Sequence, residues 1–144
     1  MRLSRKLTFV AGLLACFSCA TSASLGEDTL SPAELASTHP IVGHLSSYLQ
    51  KTPLEIVAST VLEHEPLRAA AAQLFESYDA FLALIGDPGK RQHLEDLAPA
   101  DASSDALYQD ARAISHTFQA ALDRIFLEDN GTELARLSKT YGVF

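Results

Sequence analysis

The sequence predicts an all-α protein: an up-and-down helical bundle of four to five main helices with extra short ones, preceded by a cleaved N-terminal signal. Three observations predict it. A full helix-start pattern occurs twice, at Ser31-Pro32-Ala33-Glu34 and Thr52-Pro53-Leu54-Glu55, each with a capping hydroxyl, a first-turn proline and a capping-box glutamate. Apolar residues recur with a period near 3.6 through most of the chain. No segment alternates apolar and polar side chains with period 2 for long enough to form a strand.

The first 23 residues carry the pattern of an export signal. Arg2, Arg5 and Lys6 form a basic start, Leu7 to Ala15 a short apolar run, and Thr21-Ser22-Ala23 supplies small residues for cleavage. The apolar run is too short to cross a hydrocarbon core of ~30 Å. This divides the chain into a signal (1–23), a polar linker (24–30) and one helical domain (31–144). A second reading uses the same residues differently. Leu13-Leu14-Ala15-Cys16 resembles a bacterial lipobox, which makes Cys16 a candidate lipidation site and 17–26 a small-residue tether.

From the linker onward, each element follows from local signals. Pro40 opens a helix to about Gln50, with Ile41, Leu45, Tyr48 and Leu49 on one stripe. Pro53 to His64 is the next, with Leu54, Val57, Ala58, Val61 and Leu62 inward. Pro66 interrupts the chain because it has no N–H and clashes with the preceding turn. The helix from Pro66 to Ile85 then places Leu67, Ala71, Leu74, Phe75, Tyr78, Phe81, Leu82 and Ile85 inward, with Gly86 as its left-handed stop. Its other face carries Ala69, Ala72, Ala80 and Ala83, read first as good surface helix formers and second as a close-packing face.

Asp87-Pro88-Gly89 reads as a turn, Lys90 to Leu97 as a short helix and Ala98 to Ser103 as a loop. Ser104 to Glu128 has the clearest periodicity, through Leu107, Ala111, Ile114, Phe118, Ala121, Leu122 and Ile125. Asn130-Gly131 ends it, and Thr132 to Tyr141 forms a last helix on Leu134, Leu137 and Tyr141.

Composition restricts function. Cleavage after residue 23 removes three of the 11 Lys+Arg and none of the 18 Asp+Glu, so the remaining chain carries 8 − 18 = −10. Such a charge repels nucleic acid and anionic lipid surfaces. Both cysteines, Cys16 and Cys19, lie within the signal, so that cleavage would leave neither a disulfide nor a thiolate site. The five histidines (His39, His44, His64, His93, His116) show no Glu-x-x-His, His-Glu-x-x-His or His pair at i,i+4. His116 falls on a polar helix face beside Arg112, Gln119 and Asp123. No serine stands in Gly-x-Ser-x-Gly or Ser-x-x-Lys. Asp101, Asp105 and Asp110 are too widely spaced for a calcium loop.

The sequence therefore implies a small exported protein of bacterial type that binds a protein or an envelope component. It implies no catalytic residue, metal or cofactor, no nucleic-acid partner and no transmembrane helix. A second reading is a helical bundle holding an apolar small ligand or haem among Tyr48, Phe75, Tyr78, Phe81, Tyr108 and Phe118. A third is a metal-dependent enzyme whose ligands, such as His39, His44, Glu63 and His64, converge from separate helices.

Overall fold

A computed structural model describes residues 3–23 and 40–141, and side chains throughout except for 19–23, 40–42 and 44. Seven α-helices and one 3-10 turn are the only regular elements among the described residues, and no strand occurs there. The all-α prediction holds. The helix start at Ser31, the linker 24–30 and His39 lie outside the described residues. The chain forms two compact units, residues 4–64 and residues 65–144 with 1–3.

In the first unit, α1 (Leu3–Ala23) runs unbroken past the candidate lipidation site Cys16 as far as Ala23. Leu7, Val10, Ala11, Leu14, Ala15 and Phe17 are its buried stripe, and Cys16 is an exposed free thiol. No described helix is long and apolar enough to cross a membrane. α2 (Pro40–Leu49) is tied to α1 by Tyr48, whose hydroxyl donates to Ser18 Oγ at 2.9 Å. Lys51 Nζ lies 5.1 Å over the Tyr48 ring. This polar anchor differs from the expected apolar stripe: Leu45 is exposed and Leu49 is 82% exposed.

α3 (Pro53–Val61) starts as its sequence predicts. Thr52 Oγ1 accepts from the Glu55 N–H at 3.3 Å, and Glu55 Oε2 accepts from the Thr52 N–H at 2.6 Å. That backbone N–H leads the effects holding the Glu55 carboxyl below its usual range, with the Thr52 hydroxyl next. The helix stops earlier than His64, because the His64 N–H turns back to the Val61 carbonyl at 3.1 Å. Its buried stripe is Ile56, Val57 and Val61, whereas Leu54 and Leu62 are exposed, so the helix is rotated relative to expectation.

In the second unit, Pro66 sits in a 3-10 turn (Glu65–Leu67), and α4 (Arg68–Gly86) begins only after it. α6 (Ala106–Phe126) packs chiefly on α4, α7 (Glu133–Tyr141) on α6, and α5 (Pro88–Asp96) on both α4 and α6. Leu74 and Phe118 are each 0% exposed. The Tyr78 ring bridges Phe81 and Phe118 at centroid distances of 6.1 and 6.3 Å. Farther along the pair, Arg124 Nη1 donates to Gln73 Oε1 at 2.8 Å. Burial of these side chains is the main stabilising contribution, at roughly 1.5–3 kcal/mol for each large apolar group.

Several boundaries and faces differ from the sequence reading. Gly86 is the last residue of α4 without a left-handed φ; the helix ends because Asp87 is extended. Asp87-Pro88-Gly89 is no separate turn but the start of α5, with Asp87 Oδ1 accepting from the Lys90 N–H at 3.0 Å. α6 runs from Ala106 to Phe126 rather than from Ser104 to Glu128; Asp105 caps it, and the Ser104 hydroxyl donates to the Asp101 carbonyl. Leu82 lies off the buried stripe of α4 and is exposed. Ala69, Ala72, Ala80 and Ala83 are also exposed, which fits surface helix formers. Tyr141, in the last turn of α7, is 66% exposed beyond the buried Leu134, Ala135, Leu137 and Ser138.

The stop at Asn130-Gly131 is as expected and gains a mechanism. Asn130 Nδ2 donates to the Arg124 and Ile125 carbonyls at 2.8 and 3.2 Å, satisfying acceptors that α6 leaves without helical donors. Its Oδ1 accepts from the Thr132 N–H and hydroxyl, while Thr132 Oγ1 caps Ala135 N–H. Gly131, at φ +71°, makes the reversal between these helices.

Candidate functional site

The second unit contains a surface cleft of about 670 Å³ walled by α4, α5 and α6. Each helix contributes a stripe at helical spacing. α4 presents Phe81, Leu84 and Ile85; α5 presents Arg91, Leu94 and Glu95; α6 presents Tyr108, Ala111, Arg112 and Ser115. Phe81, Leu84 and Ala111 are buried and make an apolar floor. Ile85, Leu94 and Ser115 are half-buried, and Tyr108, Arg91, Glu95 and Arg112 form an exposed rim.

The α5 wall is unusual because the helix has no buried residue. Polar contacts at both ends position it. Asp87 caps its N-terminus, and the Lys90 N–H is the largest effect holding the Asp87 carboxyl below its usual range. Near its C-terminus, His93 Nε2 lies 2.7 Å from Asp105 Oδ2. The other oxygen, Asp105 Oδ1, accepts from the Tyr108 N–H at 2.8 Å and so caps α6. That N–H first, and His93 second, hold the Asp105 carboxyl below the ordinary range. One carboxylate thus starts the third wall of the cleft and fastens the second.

The rim charges are unequal. Arg91 Nε is 4.0 Å from Glu95 Oε1 across one turn of α5, an exposed pair of little energetic weight. Arg112 has no hydrogen bond or ion pair among the described residues. Two of the cations in an acidic chain therefore border an apolar cleft, and one of them has no counter-charge.

The residues singled out from sequence are dispersed. Phe81 and Tyr108 line the cleft, whereas Phe118 is sealed in the core, with Phe75 and Tyr78 half-buried. Tyr48 belongs to the other unit. His64 is half-buried and Glu63 exposed on 4–64, His116 is exposed, and the side chain of His44 is outside the described set. No group of three or more His, Cys, Asp or Glu among the described residues is arranged to hold a metal ion. Sequence reasoning missed the α5 wall, the His93–Asp105 contact and Arg112. The available signal was the i, i+3, i+4, i+7 series Tyr108, Ala111, Arg112, Ser115 along one edge of the α6 core stripe.

These features stand without a precedent to interpret them: no protein-family model, no curated protein and no solved structure matches this chain.

Proposed function

We propose that this chain is an exported, non-catalytic binding protein whose binding surface is the cleft between α4, α5 and α6. The observation that carries the reading is an apolar floor (Phe81, Leu84, Ala111) open to solvent within a rim of polar groups. Its volume falls in the range of about 300–1,000 Å³ usual for ligand sites. Between α4 and α6 the interior is occupied by Leu74 and Phe118, which supports a surface site over a haem-like group held inside the helices. The tight α4–α5 junction at Asp87 and the short α6–α7 connection fit an up-and-down arrangement. Export rests on the basic start, apolar run and small residues of 1–23, with Cys16 as the alternative lipidated terminus.

Two experiments test this reading. Amide shift mapping with a naphthalene probe should move the signals of Phe81, Leu84, Ile85, Leu94 and Tyr108. Shifts confined to other surfaces would refute the cleft as the binding surface. Intact mass and cell fractionation of wild type and Cys16→Ser should give a chain starting at Ser24 or at a lipidated Cys16. A cytoplasmic protein retaining residues 1–23 would refute export.

A further inference from the structure

We infer that the cleft selects an amphipathic anion: a monomeric long-chain carboxylate, its tail on the apolar floor and its head group on Arg112. This rests on the cleft being the binding surface and names what it takes. The tail has a continuous apolar bed in Phe81, Leu84 and Ala111, extended by Ile85 and Leu94. A tail laid there leaves water on one side only, which suits an amphiphile better than a wholly apolar molecule.

The head group follows from charge. Arg91, Glu95 and Arg112 are the formal charges lining the cleft, and together they give +1 on a chain of net charge −7. Glu95 repels an anion, but it lies beside Arg91 at 4.0 Å, and both belong to the α5 wall. Arg112 stands on the opposite α6 wall with no partner among the described residues. Its planar guanidinium suits the two oxygens of a carboxylate, and the pair forms beside apolar surface, where charge-assisted hydrogen bonds gain strength. Tyr108 and Ser115 flank Arg112 along α6 at i−4 and i+3, and place hydroxyls on the same wall. A cationic amphiphile would find only Glu95, already beside a cation.

The test compares three probes with the same twelve-carbon tail: laurate and dodecyltrimethylammonium, each below its micelle concentration, and dodecanol below its solubility limit. Amide shifts give the location and titration gives the affinity, for wild type, Arg112→Gln and Arg112→Lys. Arg112 is exposed, so circular dichroism should show both variants folded as wild type. Laurate should shift the cleft residues and bind about tenfold tighter than dodecanol, the worth of one charge-assisted contact. Arg112→Gln should abolish that preference and Arg112→Lys keep part of it. Equal binding of laurate and dodecanol at the cleft, or a preference that survives Arg112→Gln, overturns the anion assignment and leaves the cleft as the binding surface. Absence of all three probes from the cleft overturns this inference. If the naphthalene probe is absent there too, the binding-surface reading falls with it.

Discussion

His93 on α5 and Asp105 at the start of α6 are joined by one hydrogen bond, Nε2 to Oδ2 at 2.7 Å, across a separation of 12 residues. The contact is the specific polar tie between a helix without buried residues and the body that it walls. His93→Ala should therefore loosen α5 before it destabilises the protein as a whole. Hydrogen exchange should show faster amide exchange over 88–96, with the rates in α4 and α6 nearly unchanged. Equal acceleration across all three helices would contradict this role.

The same pair sets an acid dependence. The Tyr108 N–H, and then His93, hold the Asp105 carboxyl below the ordinary value of about 4. A carboxyl lowered in this way stabilises the folded state above its unfolded value, and the gain disappears as pH falls through the folded value. Wild type should thus lose stability on acidification below about pH 4. Asp105→Asn keeps an acceptor for Tyr108 but removes the titration, so its stability should change less over that range. Parallel acid-unfolding curves for the two proteins would count against it.

Core and surface leucines should separate cleanly. Leu74 and Phe118 are 0% exposed, so Leu74→Ala or Phe118→Ala should each cost roughly 2–5 kcal/mol in denaturant unfolding. Leu82, at 43% exposed, should lose no more than about 0.5 kcal/mol on replacement by alanine. Similar losses at Leu74 and Leu82 would mean that the buried stripe of α4 has been misplaced.

The end of α6 depends on Asn130. Asn130→Asp removes the Nδ2 donors to Arg124 and Ile125 and puts a negative charge at a helix C-terminus, where the dipole opposes it. The expected cost is about 1–3 kcal/mol, measurable as a lower urea midpoint. Gly131→Ala should cost roughly 1–2 kcal/mol because an alanine must adopt φ +71° there. A neutral result at both positions would show that the 126–133 connection tolerates other conformations.

The histidines allow a further check on the binding reading. Elemental analysis of the purified protein should find no stoichiometric transition metal, since their spacing offers no ligand set. One zinc or iron per chain, lost in both His44→Ala and His64→Ala, would promote a metal-dependent role instead.

How far the sequence was legible depends on how local each signal is. The Thr52 capping box and the Asn130-Gly131 stop involve neighbours within a few residues, and both are as expected. The exposure of Leu45 and Leu49 on α2 is not local. Leu45 and Leu49 make a credible inward stripe, but Tyr48 is drawn to Ser18, 30 residues away. Tyr141 continues the periodicity of Leu134 and Leu137 yet extends past what covers them. The cleft was hidden for a related reason. It joins three stripes, each beside a core stripe, and Arg112 next to His116 gives the same pattern as any solvated edge. The spacing of Asp105 sets it aside as a calcium ligand but gives no hint that its oxygens serve Tyr108 and His93.

Asp87 is at once the residue after α4 and the cap of α5, so no spacer absorbs changes of chain length between them. An α-helix turns about 100° per residue. A single residue inserted between Lys90 and Arg91 would swing Arg91, Leu94 and Glu95 by that angle away from the cleft and displace His93 from Asp105. α5 should therefore accept many exchanges of its exposed side chains while rejecting any change in their number. The wall is specified by counting rather than by burial.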